Sequence, residues 1–254
     1  MAWFGTTNGA IEAWQISEER CTRQTRVSDR PVIALGVSAD QTFFFGWDRV
    51  IAQAVLWRLG PDTGVQLKVF SDFATNEAPA SWSKAQRVAF SANNRWLAYA
   101  STNYTVKIWD LQAGNEASTL IGHTWHVECL RFSHEGTCLA TGSWDATARL
   151  WDPAKGLEKI PPLKGHLSGI ANLCFSHDGR TLAVRSSDDL LHFWSTINGA
   201  EMLTLPHVTA WFFNMISEDG NALAWEVAPN SNRFRVQYVP TLAEIDARES
   251  KLNP

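Results

Sequence analysis

The stretch GSWDATARLWD, residues 142–152, carries the pattern that decides the fold. It contains Ser143, Asp145 and Trp151, and His123 lies a short way upstream. Serine, histidine and aspartate are the residue types of a hydrolase triad, whereas tryptophan and arginine are typical of a recognition surface. Whether the stretch recurs in the chain decides between these interpretations.

The stretch does recur, with a nearly constant period. Its tryptophan is one of five at intervals of 43, 52, 42 and 43 residues, and Gln237 takes the sixth place after 43 more. A polar segment at 71–84 accounts for the long interval. Apolar runs separated by HEG, HDG and EDG turns predict short antiparallel strands, and a period in the low forties is that of four-stranded propeller blades. The anchoring tryptophans are Trp14, Trp57, Trp109, Trp151 and Trp194.

The composition is that of an ordinary globular protein. The 254 residues are 45% hydrophobic and 19% charged, which argues against disorder. A net charge of -4 supplies no basic field, so we expect no nucleic-acid partner. No apolar run reaches the roughly 18 residues of a membrane helix, and no signal peptide is visible. Four cysteines without metal-type spacing favour a reducing compartment, so we expect a cytoplasmic protein.

The central units, with GH, FS-x-DG, LATGS-x-D and TARLWD in order, resemble the WD-repeat β-propeller family. The resemblance covers about residues 2–240 and is most specific in the two central units. It implies an all-β fold with four antiparallel strands per blade, and the tail at 241–254 is predicted to be helical. The implied units are a partial blade at 1–30 and five blades at about 31–70, 85–122, 127–165, 170–206 and 210–240.

The resemblance also implies a structural role for the serine, histidine and aspartate. In the family, the GH histidine, a hydroxyl on the second strand, the turn aspartate and the strand tryptophan form a hydrogen-bonded clamp in each blade. A triad occurs once per domain, whereas this constellation recurs at the blade period, so we expect no catalytic residue, metal or cofactor. The implied clamps are His123, Ser143, Asp145 and Trp151 in one blade and His166, Ser186, Asp188 and Trp194 in the next.

The residues that the clamp does not need define a candidate partner-binding face. The family places the GH connection and the turn before the third strand on one face, the top. Trp144 lies in that turn, and Trp125 and His126 lie in the connection. Exposed tryptophans are enriched at interface hot spots, although Trp144 folded down over Trp125 or the next blade is an alternative. Tyr104 and Arg185 are further candidates, and we expect a scaffold that binds a protein or peptide.

The repeats predict an incomplete ring. The chain begins at the second strand of one blade and ends after the third strand of another, which leaves an unpaired edge. We expect the C-terminal part of a longer, six- or seven-bladed protein, whose N-terminal part completes the ring. A distorted six-bladed ring and strand exchange with a partner are alternatives. The tail resembles the end of large bacterial WD-repeat proteins, some of which carry a protein kinase domain. A sensor propeller of such an enzyme is therefore the second hypothesis, and a propeller hydrolase or lyase is the third.

Overall fold

The regular structure of the described residues is almost entirely β-strand. The computed structural model describes residues 2–74 and 86–205, together with three short strands between 215 and 238. Apart from a 3-10 turn at Ile16–Glu18 and helical backbone at residue 86, the regular elements of these residues are strands. The all-β prediction is confirmed, whereas the predicted helical tail at 241–254 lies outside the described residues.

Each sequence repeat forms one antiparallel sheet, and its strands follow one another along the chain. The N-terminal sheet contains β1 (Ala2–Gly5), β2 (Ala10–Gln15) and β3 (Arg20–Arg26). Blade 1 contains β4 (Val32–Val37), β5 (Phe43–Asp48), β6 (Gln53–Leu59) and β7 (Gly64–Phe70). Blade 2 contains β8 (Val88–Phe90), β9 (Trp96–Ala100), β10 (Val106–Asp110) and β11 (Asn115–Leu120).

The second half of the chain continues the same pattern. Blade 3 contains β12 (Val127–Phe132), β13 (Leu139–Ser143), β14 (Ala148–Asp152) and β15 (Leu157–Glu158). Blade 4 contains β16 (Ile170–Phe175), β17 (Thr181–Ser186), β18 (Leu191–Ser195) and β19 (Glu201–Leu205). The C-terminal sheet contains β20 (Met215–Ile216), β21 (Ala222–Glu226) and β22 (Phe234–Tyr238). Its described part therefore has three strands rather than the four of a full blade.

The acidic-glycine turns close the first hairpin of blades 3 and 4. In blade 4 the Ser176 hydroxyl donates to the Asp178 carboxylate at 2.6 Å and accepts the backbone N–H of Thr181 at 2.9 Å. Gly179 and Gly136, in the equivalent turns of blades 4 and 3, both have a φ of 69°, in the left-handed region that favours glycine. The HDG and HEG motifs therefore specify these turns through local hydrogen bonds and backbone conformation.

Burial decreases from the inner strands of a blade to its outer strand. Every residue of β13 is buried, whereas both residues of β15 are exposed. A strand that is buried at every residue must have both faces covered, because successive side chains point to opposite faces. Here the covering surfaces are the neighbouring blades. Leu150 of blade 3 belongs to the same apolar cluster as Leu173 and Trp194 of blade 4.

The first strands of successive blades lie side by side around an axis. Strand β4 contacts β8, β8 contacts β12, and β12 contacts β16. Among the described residues the first and last sheets share no hydrogen-bonded strands, so the ring is not closed within them. No helix in this part of the chain is both long and apolar enough to cross a membrane.

The connections between strands lie at two opposite faces. The connection that enters the first strand and the turn between the second and third strands are at one end of each sheet, which we call the top face. The first hairpin turn is at the other end, the bottom face. The top face carries the candidate residues, because the sequence places them in those connections.

Candidate functional site

The turn between β13 and β14 is held by the side chain of Asp145. Its Oδ1 atom accepts hydrogen bonds from the backbone N–H of Thr147 at 3.0 Å and from the Thr147 hydroxyl at 2.7 Å. Ala146 has a φ of 62°, and Tyr104 and Asp189 have similar values, 66° and 65°, in the equivalent turns. An aspartate or asparagine at the position of Asp145 stabilises the turn by accepting a hydrogen bond from the backbone two residues further on.

Four side chains of blade 3 form a continuous hydrogen-bonded relay. The Trp151 indole N–H donates to the Thr141 hydroxyl oxygen at 2.8 Å, and that hydroxyl lies 2.8 Å from Nε2 of His123. Nδ1 of His123 lies 2.8 Å from Oδ2 of Asp145. Indole can only donate, so with a neutral imidazole the Thr141 proton points to Nε2 and His123 carries its proton on Nδ1. We call Trp151, Thr141, His123 and Asp145 the blade 3 relay.

The side chains of the blade 3 relay are buried within the blade. Burial by itself would raise the pKa of Asp145, but hydrogen bonds and the charge interaction with His123, together with hydrogen bonds from Thr147 and Thr124, hold that pKa well below its ordinary value. Nε2 of His123 faces the hydroxyl of Thr141, which is fully buried and already accepts the Trp151 N–H, so no substrate can reach that hydroxyl, and neither imidazole nitrogen is open to a metal ion. Among the described residues, no group of three or more His, Cys, Asp and Glu side chains is arranged to hold a metal ion.

The prediction that Ser143 supplies the relay hydroxyl is wrong. Thr141 occupies that place, and Ser143 instead donates to the backbone oxygen of Trp125 and accepts the backbone N–H of Asp145, both at 3.1 Å. The two residues are two positions apart on one strand and share a face, so side-chain alternation is compatible with either. Only the depth at which the imidazole enters the blade selects Thr141.

The predicted clamp of blade 4 is interrupted at its centre. Val184 pairs with His192 as Thr141 pairs with Arg149, so Val184 occupies the place of the relay hydroxyl. Within the described part of the chain, Nε1 of Trp194 and Nε2 of His166 are buried without a hydrogen-bond partner. Nδ1 of His166 lies 3.3 Å from the backbone oxygen of Ala146 rather than bonding Asp188.

The hydrogen bonds of Ser186 and Asp188 in the blade 4 clamp are still formed. The Ser186 hydroxyl donates to Oδ1 of Asp188, and the backbone N–H of Leu167 donates to Oδ2 at 3.2 Å. The His166 ring instead packs against His192, with ring centroids 4.6 Å apart. Burial, and then the neighbouring His192, lower the pKa of His166 to about 4. The blade therefore contains a buried pair of packed histidine rings where blade 3 has a polar relay.

Trp144 and Trp125 lie in adjoining segments of the top face. The exposed fractions of the two residues are 50% and 57%. The backbone N–H of Trp144 donates to the backbone oxygen of His126 at 2.9 Å, so the turn and the GH connection are joined directly. The Tyr104 ring meets the His126 ring edge to face, at a centroid distance of 4.9 Å. The four residues therefore belong to one surface, which we call the aromatic face.

Trp144 is oriented from two sides. Its indole N–H donates to the Glu128 carboxylate at 3.1 Å, and that carboxylate is paired with buried Arg87 at 2.5 Å. A side chain at Gly169 of blade 4 would approach the indole to 3.1 Å, so part of the ring rests on the neighbouring blade. Trp144 therefore does pack against the next blade, as the alternative interpretation proposed, and is half exposed all the same.

Arg185 does not present its side chain on the aromatic face, which corrects that candidate. Its side chain is only 8% exposed and pairs with Asp189 at 3.0 Å. Residue 185 lies on β17, in which every residue from Leu182 to Ser186 is buried. Sequence reasoning missed Leu167, which is 84% exposed in the GH connection of blade 4. An apolar residue directly after GH, where blade 3 has Thr124, is the signal that would have found it.

Comparison with known proteins agrees with this architecture. The family model described as "WD domain, G-beta repeat" matches residues 83–110, 114–152 and 157–195. Guanine nucleotide-binding protein subunit beta-5b of Danio rerio is 37% identical over 67 residues, which are 26% of this chain and 17% of that protein. Nuclear distribution protein nudF 2 of Aspergillus clavatus is 40% identical over 83 residues, which are 31% of this chain and 19% of that protein.

The similarity to these relatives is local, whereas a structural similarity extends over most of the chain. The matched segments span less than a fifth of either relative, at 17% and 19%. The crystal structure of the computationally designed Ika8 protein aligns with a TM-score of 0.63 at 20% sequence identity, covering 93% of this chain and 67% of that one. That likeness shows the fold. The chain therefore contains three repeats that match the WD domain, G-beta repeat family, within sheets of four antiparallel strands consistent with a WD-repeat β-propeller.

Proposed function

We propose that the chain is a non-catalytic scaffold that holds a protein or peptide partner on its aromatic face. The observation that carries the proposal is the pair of half-exposed tryptophans, Trp125 and Trp144, in directly bonded segments of that face. Apolar surface of this kind is unfavourable in water, and tryptophan is enriched at interface hot spots. Leu167 extends the apolar surface towards blade 4.

The aromatic face is suited to contact through ring faces. The indole N–H of Trp144 is already bonded to Glu128, so a partner needs to supply no acceptor for it. The Arg87–Glu128 pair and Gly169 hold the ring in one orientation. Such preorganisation lowers the entropic cost of binding, because the side chain is ordered before the partner arrives. The proposed partner therefore presents apolar side chains to Trp144 and Trp125.

Two further observations support a scaffold over an enzyme or a nucleic-acid binder. The histidine, threonine and aspartate of the blade 3 relay are bonded to one another inside the blade. The net charge of -4 does not favour a polyanionic partner. The Danio rerio relative is named as a subunit, and we extend that mode of action, assembly with another protein, to this chain. The four free cysteines support our placing the protein in the cytoplasm.

The proposal predicts that a charge at Trp144 prevents partner capture. The tagged chain and its Trp144→Arg variant are used as baits in a lysate of the cells that make the protein, and captured proteins are compared by quantitative mass spectrometry. Arginine retains a donor for Glu128 but removes the apolar ring. We expect recovery of the partner to fall about tenfold or more, because truncating a hot-spot aromatic costs about 2 kcal/mol. The melting temperature should stay unchanged.

Ile197→Arg is the matched control. Ile197 is also exposed, but it lies in the turn between β18 and β19, on the bottom face. Partners that depend on the aromatic face are lost with Trp144→Arg and kept with Ile197→Arg. Equal recovery with both variants, or equal loss from both, would contradict the assignment of the binding surface to Trp144.

A further inference from the structure

Two histidines occupy equivalent turns of neighbouring blades on the bottom face. His134 lies in the turn between β12 and β13, and His177 lies in the turn between β16 and β17. The sequence motifs HEG and HDG place both residues at the same point of the repeat. They are at the opposite end of the strands from the aromatic face, so nothing inferred from them rests on the proposed function.

The two imidazole rings lie against each other. Their centroids are 4.4 Å apart, and their planes are inclined by 46°. Both residues are exposed. Neither ring has a hydrogen-bond partner in the described part of the chain, so all four ring nitrogens are available to a ligand. Two unbonded imidazoles at this distance can chelate one ion, since ligand nitrogens around a metal ion are a few ångströms apart.

The histidine pair stands at the rim of a cavity of about 620 Å³ on the bottom face. Its walls include the apolar ring of Phe132 and the side chains of Cys174 and Arg131. Burial raises the pKa of the Cys174 thiol to about 11, so the cysteine is protonated and is a poor ligand near neutrality. The positive charge of Arg131 opposes a cation and limits its affinity. The histidines are therefore the groups in this cavity best suited to bind a metal ion.

We propose that His134 and His177 form a chelating pair for a transition-metal dication of the Zn²⁺ class, held between the bottom turns of blades 3 and 4. Neutral imidazole suits Zn²⁺, Cu²⁺ and Ni²⁺, whereas Mg²⁺ and Ca²⁺ require oxygen ligands. Two protein ligands leave further coordination positions open to water or an added group. The site therefore binds more weakly than a closed four-ligand zinc site, and it links the bottom turns of two neighbouring blades.

Titration of the metal-free full chain with Zn²⁺ at pH about 7.5 tests the site by calorimetry. We expect one Zn²⁺ per chain, and we expect the thermal midpoint to rise with Zn²⁺ because the ion binds the folded state. His134→Ala and His177→Ala should each weaken binding about tenfold or more, because one imidazole cannot chelate. The double variant should also lose the weak binding of the remaining single imidazole, but this second removal should cost less affinity than the first.

Glu135→Ala is the matched control, since Glu135 is the exposed neighbour of His134 in the same turn. It should keep Zn²⁺ binding and the metal-dependent rise in thermal midpoint. The thermal midpoints of all variants without metal establish that each is folded. Independent histidines would instead lose binding in proportion to the number removed, and that result would overturn the chelate. Unchanged binding in either single histidine variant would overturn it equally.

Discussion

Replacement of Thr141 by valine is expected to lower the free energy of unfolding by about 3 kcal/mol, because it leaves two buried nitrogens of the blade 3 relay without a partner. Valine has nearly the same shape as threonine, so little packing is lost. The Trp151 indole N–H and Nε2 of His123 both bond the Thr141 hydroxyl, and both would remain enclosed. Chemical denaturation of the two proteins under one set of conditions measures the difference.

Blade 4 allows the reverse substitution to be tested, because it lacks the relay hydroxyl. Blade 4 has Val184 at the equivalent position, with Nε1 of Trp194 and Nε2 of His166 unbonded. Val184→Thr is therefore expected to stabilise the protein, by about 1 kcal/mol for the hydrogen bonding regained. Ser143→Ala is the control, since Ser143 lies outside the relay and should cost less than Thr141→Val. A Thr141→Val loss no larger than that of Ser143→Ala would contradict the central role of Thr141.

Acidification from pH about 6.5 to about 4 is expected to remove about 3 kcal/mol of stability through His166. The pKa of His166 is lowered to about 4 in the folded chain by burial and by His192, although Asp188 and Glu201 act in the opposite direction. In this window the unfolded chain binds a proton that the folded chain does not. The free energy of unfolding therefore falls as the pH falls, and its contribution from His166 is fully present only above pH about 6.5.

The free energy of unfolding measured at a series of pH values tests this expectation. His166→Gln removes the titrating group and should flatten the curve between pH about 4 and about 6.5. Asp145 acts at lower pH: its pKa is held below the ordinary value of 3.8, so its stabilising contribution is present above that value and is lost as the pH falls below it. The contribution of Asp145 to the pH dependence can therefore be distinguished from that of His166. An equal slope in His166→Gln would show that another group causes the loss.

The repeat was predictable from sequence because equivalent positions of every blade are buried or form turns in the same way, and so require the same residue types. Trp151 and Trp194 recur at one period since each fills the same buried space between blades, and the HEG and HDG turns recur since each closes the same hairpin. The place of Trp144 on the top face followed from its position just before the turn aspartate. Its half-exposed state did not follow, because that depends on Gly169 and Glu128, which lie on other segments.

The sequence by itself determined the fold class, the antiparallel strand pattern and the turns, because these depend on periodic burial and on local backbone conformation. The tertiary structure alone decided which hydroxyl completes the relay. Thr141 and Ser143 share a strand face, and only the depth of His123 in the blade distinguishes them. It also decided that Arg185 is enclosed rather than displayed, because whether a long side chain reaches solvent depends on the blade packed against it.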